Sequence, residues 1–204
     1  MHRDTFGVLE SYNKIADWFD AMRSRHLMEK PYLEYLTNNL KQGASILDLG
    51  CGTGEPVLRF LSSFDLSITG IDGSRAMIDK AIRRFPDITF LHEDMRDVSM
   101  NQHFDAIIAW HSLFHLPPAD QRSMFDIFAN HLKPNGLLLF TSGTEAGEFW
   151  SGDNGGERLY QASLSTEDYR TILTDLGFTV LKHVINDPAC GGATIWLARF
   201  APTT

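Results

Sequence analysis

The stretch "ILDLGCGTGEP", Ile46 to Pro56, decides how this chain folds. An apolar run ends in an aspartate, a glycine cluster follows, and a glutamate and a proline open a helix. A backbone relieved of side chains at Gly50, Gly52 and Gly54 is one that passes very close to a ligand. A glycine triplet alone is weak evidence. A strand before it and a helix after it, with Pro56 in that helix's first turn, make it the first strand-to-helix turn of an α/β sheet. The spacing is G-x-G-x-G, and the dinucleotide fingerprint G-x-G-x-x-G places its third glycine one position later.

Outward from this turn the apolar period changes. Upstream, Leu9, Tyr12, Ile15 or Ala16, Phe19 and Met22 recur at helical spacing. Pro31 opens a second helix and Gly43 ends it. Downstream, "LSITGI" (66–71), "ITFL" (88–91), "FDAIIAW" (104–110) and "GLLLFTS" (136–142) are short apolar runs that join "SILDL" (45–49) as strands. Helical stretches separate them: "EPVLRFLSSF", "SRAMIDKAIRRF" and "ADQRSMFDIFANHL". Apolar strands alternating with helices predict parallel strands covered on both faces. "STEDYRTILTDLGF" (165–178) reads as a helix capped by Ser165 or Thr166 and stopped at Gly177. Two strand-like segments follow, joined by a loop so short that the pair must be antiparallel. The segment 142–163, rich in glycine, is too long to be an idle connection. Its Phe149, Trp150, Arg158 and Tyr160 suit the wall of an acceptor pocket or an oligomer contact.

Bulk numbers narrow the function classes. The 204 residues fit one domain with a sizeable core, and 43% hydrophobic with 22% charged residues is a globular composition. The formal charge of −8, with no Lys/Arg cluster, argues against nucleic acid or an anionic membrane as partner. A small molecule is the default. Cys51 and Cys190 read as reduced thiols, the N-terminus lacks an apolar leader, and no apolar run approaches bilayer length. The expectation is a cytoplasmic, soluble protein of open oligomeric state.

Asp48 lies where a ligand would rest at the end of the first strand. Beside a pyrophosphate it would be repulsive by on the order of 4 kcal/mol at contact distance, whereas an ammonium or sulfonium would be attracted. Asp72, closing the second strand, suits a pair of ribose hydroxyls. Asp94 after the third strand suits an adenine amino group, with Met95 covering the ring. His111 and His115, four apart after the fourth strand, are expected on one helical face and are the base candidates. Without the glutamate of H-E-x-x-H they do not predict a metal site.

In order, "ILDLGCGTGEP", "TGIDGSRAMIDKA", "FLHEDMRD", "FDAIIAWHSLFHL" and "LKPNGLLLFTSG" resemble the successive motifs of class I S-adenosylmethionine-dependent methyltransferases, over about residues 8 to 200. The resemblance implies a Rossmann-like three-layer α/β/α sandwich whose seven-stranded, mostly parallel sheet has an antiparallel last strand. It also implies a single domain: an N-terminal helical lid (1–43), a cofactor-binding core (44–142), the glycine-rich insertion (143–163) and a C-terminal helix with an antiparallel strand pair (164–204). By the same likeness Asp48, Gly50, Cys51, Gly52, Thr53 and Gly54 hold the methionine portion of S-adenosylmethionine. Asp72, with Gly73 and Met77 of its motif, serves the ribose side, and Asp94 and Met95 the adenine. The Trp110 backbone lies near the sulfonium, and Tyr12 of the lid faces the cofactor. Glu93 stands where that family usually carries a small residue.

The expected activity is methyl transfer to an oxygen, nitrogen or sulfur of a small molecule. His115 and His111 serve as base if the acceptor carries a proton, and no metal is expected. Two other readings stand beside it. One is a non-catalytic S-adenosylmethionine-binding module, since no acceptor-site residue is unmistakable. The other is a dinucleotide-dependent oxidoreductase, which Asp72 permits and Asp48 with the glycine spacing opposes.

Overall fold

Parallel strands whose residues are apolar on both faces must be sandwiched, and the computed structural model, which describes residues 6–201, is built that way. In chain order the elements are α1 (Val8–Met22), α2 (Lys30–Asn39), β1 (Ala44–Leu49), α3 (Val57–Leu61), β2 (Leu66–Asp72), α4 (Arg75–Arg84), β3 (Thr89–His92), β4 (Phe104–Ala109), α5 (Pro118–His131), β5 (Leu132–Ser142), β6 (Gly147–Trp150), β7 (Tyr160–Ser163), α6 (Thr166–Asp175), β8 (Phe178–Asp187) and β9 (Ala193–Phe200). The outer ends of the expected lid and C-terminal segment, residues 1–5 and 202–204, lie outside the described residues.

Seven strands form one sheet in the order β3-β2-β1-β4-β5-β9-β8. The first five are parallel, and β9 runs antiparallel to both of its neighbours, as expected for the last strand. Side chains alternate between the faces along each strand. Leu47, Leu49, Ile107 and Trp196 pack on the side of α5 and α6, whereas Ile46, Ile108, Leu139 and Leu197 pack on the side of α2, α3 and α4. Strand order reverses between β1 and β4, so the loops leaving their carboxyl ends diverge to opposite faces and open a crevice.

Local chemistry sets most boundaries. Ser165 caps α6 in a reciprocal capping box with Asp168, and Gly177 at φ +81° ends that segment. Pro31 sits in the first turn of α2. Two expectations, the length of α3 and the shared face of the histidines, are corrected, and the 143–163 insertion, to which the sequence assigned no element, takes a definite form. The helix read from "EPVLRFLSSF" is only α3, because Pro56 stands as its N-cap and the chain turns again at Ser62. The 143–163 insertion is a hairpin, with β6 paired to β7 in antiparallel register from Gly147↔Ser163 to Trp150↔Tyr160. His111 and His115 do not share a helical face. His111 occupies a turn at φ +53° and His115 ends a single 3-10 turn, because Pro117 and Pro118 disfavour helix in the residues just before them.

The helix α1 lies across the carboxyl ends of the strands, tied on both sides. Asn13 Oδ1 accepts from the Ser74 hydroxyl at 2.9 Å and the Ala76 amide at 3.0 Å, and Asp20 pairs with Arg84 at 2.7 Å. On the hairpin side, Ser11 donates to Glu157 at 2.8 Å and Lys14 pairs with the same carboxylate at 3.3 Å.

Two of the loop glycines are needed for close packing. A Cβ on Gly50 would sit 2.2 Å from Ser112 Cβ, and one on Gly54 2.5 Å from the Phe85 ring. Gly54→Ala is therefore expected to destabilise the protein by roughly 2–5 kcal/mol, combining left-handed strain with the ring clash. Gly43→Ala, which also has a positive φ but open space around it, loses only the strain part, about 1–2 kcal/mol. Urea midpoints of the two variants check the difference.

Candidate functional site

Between α1, the β1 and β4 ends and the hairpin lies a cavity of about 500 Å³, within the size range of small-molecule sites. The apolar stripe of α1 faces it: Leu9, Tyr12, Ile15, Phe19 and Met22 all line it, so this stripe roofs a cavity. Of the residues singled out from the sequence, Tyr12, Asp48, Gly50, Cys51, Gly52, Thr53, Asp72, Gly73, Met77, Asp94, Met95, Trp110, His111 and His115 line it as well. Gly54 does not; its Cα is turned against Phe85.

The floor is set by two carboxylates. Asp72 accepts from the Gly52 amide with one oxygen and from the Ser74 amide with the other, both at 2.8 Å. It thereby stitches the loop after β1 to the turn after β2. Asp48 is 3% exposed, and its carboxylate takes no hydrogen bond among the described residues. Burial, reinforced by the charge of Asp72 and opposed by Arg23, pushes Asp48 up to about 7. Cys51 is buried beside them and its thiol is pushed up by burial, so it is no nucleophile.

Asp94 lines the cavity and is also bound to its own turn. Its carboxylate accepts from the Arg96 amide at 3.0 Å and from the Arg96 guanidinium at 2.5–3.1 Å, and Arg96 also reaches Asp120 at 2.8 Å. These bonds fix the turn after β3. Arg96 lay inside "FLHEDMRD", but nothing in its spacing said that it would turn inward.

Arg23 was missed altogether. It caps α1, lines the cavity, and forms no ion pair among the described residues; its Nε is buried without a hydrogen-bond partner. The guanidinium lies 5.7 Å from the Phe19 ring centroid, and its charge is felt by Asp48 and His111. The sequence did offer a signal, because Arg23 continues the apolar stripe of α1 four residues after Phe19, whereas Glu10, Lys14, Asp17 and Asp20 lie off that stripe.

The two histidines differ. His115 Nδ1 lies 2.9 Å from the Tyr160 carbonyl, which only accepts, so the proton is on Nδ1. Nε2 then accepts from the Tyr12 hydroxyl at 2.8 Å. His115 therefore locks lid, β4 loop and hairpin together with both nitrogens engaged. The His111 ring makes no hydrogen bond among the described residues, and only its amide is tied, to Thr141 at 2.8 Å. A non-glycine residue held at φ +53° is strain of the kind found at functional sites. Burial drives both rings down to about 4, so both are neutral at pH 7.

Comparison with known proteins fits this geometry. Residues 46–136 match a family model described as a methyltransferase domain. Over 138 residues the chain is 34% identical to a cyclopropane-fatty-acyl-phospholipid synthase of Escherichia coli K12, covering 66% of this chain and 35% of that protein. Over 100 residues it is 35% identical to a dTDP-3-amino-3,6-dideoxy-alpha-D-glucopyranose N,N-dimethyltransferase of Streptomyces fradiae, covering 48% and 39%. The chain thus spans little more than a third of the length of these curated relatives. The fold matches a solved S-adenosylmethionine-dependent methyltransferase from Clostridium acetobutylicum ATCC 824 with a TM-score of 0.72 at 18% identity, over 94% of this chain and 100% of that one.

The raised Asp48 has a signed consequence. Folded, it holds a proton that the unfolded chain has released, so stability is lost as pH rises from about 4 to about 7. The depressed histidines act oppositely, adding stability as pH rises from about 4 to 6.5. Comparing wild type with Asp48→Asn isolates the carboxylate. The variant is expected to gain stability relative to wild type across pH 4 to 7 and to hold that gain above, as read from chemical denaturation at each pH.

Proposed function

We propose that this chain, which belongs to the class I S-adenosylmethionine-dependent methyltransferase family, binds S-adenosylmethionine in the cavity under α1 and transfers its methyl group to an oxygen, nitrogen or sulfur of a small molecule. The observation that carries the reading is the pair of unpartnered opposite charges at one end of that cavity, Asp48 and Arg23. An isolated buried charge is costly, and two of opposite sign in one cavity suit a zwitterion. Asp48 takes the ammonium of the cofactor's amino-acid end and Arg23 its carboxylate. A pyrophosphate has no place beside Asp48, which disfavours the oxidoreductase alternative.

When bound, the cofactor supplies a methyl carbon already activated by its sulfonium. The chain's residues then position and desolvate. Asp72 holds the glycine loop open and keeps lone pairs for ribose hydroxyls. Gly52, with no side chain and open space toward the cavity, lets backbone approach the ligand. Met77, Gly73 and Met95 line the ribose and adenine side, α1 acts as the lid, and Tyr12 with His115 holds that lid shut. Sequence order put His115 first as base, but its nitrogens are both engaged. His111, neutral and with a free ring, takes the acceptor proton where there is one.

Calorimetric titration with S-adenosylmethionine, S-adenosylhomocysteine and NAD(H) tests the reading. The first two are expected to bind at micromolar concentration and the third not at all; binding of NAD(H) alone would overturn it. Asp48→Asn and Arg23→Met should each weaken S-adenosylhomocysteine by roughly 10- to 100-fold, the loss of one charge-assisted hydrogen bond. Methylthioadenosine, which lacks the amino-acid end, should be little affected by either substitution.

A further inference from the structure

The acids and guanidiniums that line the cavity are accounted for. Glu55 pairs with Arg59 at 2.8 Å and Arg84 at 3.6 Å, Asp72 accepts from two backbone amides, and Asp94 and Arg96 close on each other and on Asp120. Asp48 and Arg23 are assigned above to the cofactor's amino-acid end, and the inference rests on that reading.

What remains is aromatic and neutral. Consecutive ring contacts run from Phe19 through Tyr12, His115, Phe114 and His111 to Trp110, with centroids 5.7, 5.3, 4.8, 5.8 and 5.3 Å apart. All six rings line the cavity, and the two imidazoles in the arc are uncharged at pH 7. Beside the arc, where His115 meets the Tyr160 carbonyl, the hairpin contributes Asn154, Leu159 and Gln161, and Phe6 is stacked on Tyr160 at 3.9 Å. The Gln161 amide has no side-chain hydrogen bond among the described residues. It and His111 are neutral polar groups left to meet a ligand.

We infer that the methyl acceptor is an uncharged, planar aromatic or heteroaromatic compound bearing a hydroxyl or amino group. Its ring lies against the aromatic arc, where offset and edge-on contacts are favourable. Gln161 orients a polar substituent, and the reacting oxygen or nitrogen lies at His111. The acceptor's lone pair forms the bond to the methyl carbon as the carbon–sulfur bond breaks and sulfur keeps that pair. The acceptor's proton passes to the His111 ring and on to water. Arg23, whose guanidinium lies 5.7 Å from the Phe19 ring centroid and is felt by His111, is taken by the cofactor's carboxylate, so a carboxylate or diphosphate on the acceptor finds no free counterion, and burying such a charge unpaired is strongly unfavourable. An amino sugar carried on a nucleoside diphosphate, the substrate named for the Streptomyces fradiae relative, does not fit this compartment.

The test uses matched pairs: naphthol and hydroxynaphthoate, hydroxyquinoline and its carboxylated twin, with a thymidine-diphosphate amino sugar as a third kind of ligand. Calorimetric affinity is measured for the full chain with and without saturating S-adenosylhomocysteine, and S-adenosylhomocysteine formation is measured with S-adenosylmethionine present. Each neutral aromatic is expected to bind roughly 100-fold tighter than its carboxylated twin, and turnover to follow the same order. Gln161→Arg, which supplies the missing cation, should narrow or invert that preference. Carboxylated twins or the nucleotide sugar binding as well as the neutral rings would overturn the inference, as would the neutral rings failing to bind in both conditions. Failure of S-adenosylhomocysteine itself to bind is a separate result, and it strikes the cofactor reading instead.

Discussion

One carboxylate holds the site open. Asp72 spends one oxygen on the Gly52 amide and the other on the Ser74 amide, so the loop leaving β1 and the turn leaving β2 are fixed to each other. Without that link, two adjacent loops at the carboxyl edge of the sheet would be free to collapse onto the crevice between β1 and β4. With it, the glycine loop stands clear, and its amides and missing side chains face a cavity. The link has a cost, because Asp72 is buried and raised from its ordinary range by that burial despite the two amides. Its charge in turn helps to raise Asp48.

The roof depends on this floor. The first helix spans from the turn after β2, which Asn13 and Leu9 contact, to the far end of β1, where Arg23 hangs into the cavity. The hairpin closes the remaining side, clasped to α1 through Glu157 and through Trp18, whose ring lies 2.6 Å from the Cβ position of Gly155. His115 pins the two roof pieces to the core, since its ring lies between the Tyr12 hydroxyl and the Tyr160 carbonyl. Surface ion pairs such as Lys14 with Glu157 contribute little by themselves. The joint owes its order to the apolar and aromatic contacts between those charges. A roof made of one helix and one hairpin is also the kind of element that opens without unfolding the sheet.

Charged groups inside the enclosure are held in different ways. Asp72, Glu55 and Asp94 are paired or amide-bonded, whereas Asp48 and Arg23, which feel each other, have no ion pair among the described residues. In a low-dielectric cavity such an arrangement selects a ligand by where its charges lie, because a misplaced charge finds neither water nor counterion.

The chain's fold was legible from Ile46 to Pro56 outward. Period-two and continuous apolar runs marked the strands, Ser165 and Gly177 marked a helix, and the short connection before Gly192 required the reversed strand that β9 became. Asp48 and Asp72 were legible because each ends a strand, so backbone geometry alone aims it at the crevice. Loops carry no such period. The hairpin in 143–163, the turn that separates His111 from His115 and the role of Arg23 were therefore not read, although the hairpin pairs over only 10 to 16 positions and Pro117 and Pro118 stand just after the histidines. The sequence by itself determined the sheet, its order of layers and the acids at the strand ends, because those follow from local pattern. Only the tertiary structure decided which side chains share the cavity, that Asp94 accepts from Arg96, and that among the described residues both ring nitrogens of His115 are engaged while the His111 ring has no hydrogen bond. Those are properties of enclosure, and enclosure exists only once α1 and the hairpin meet over the sheet.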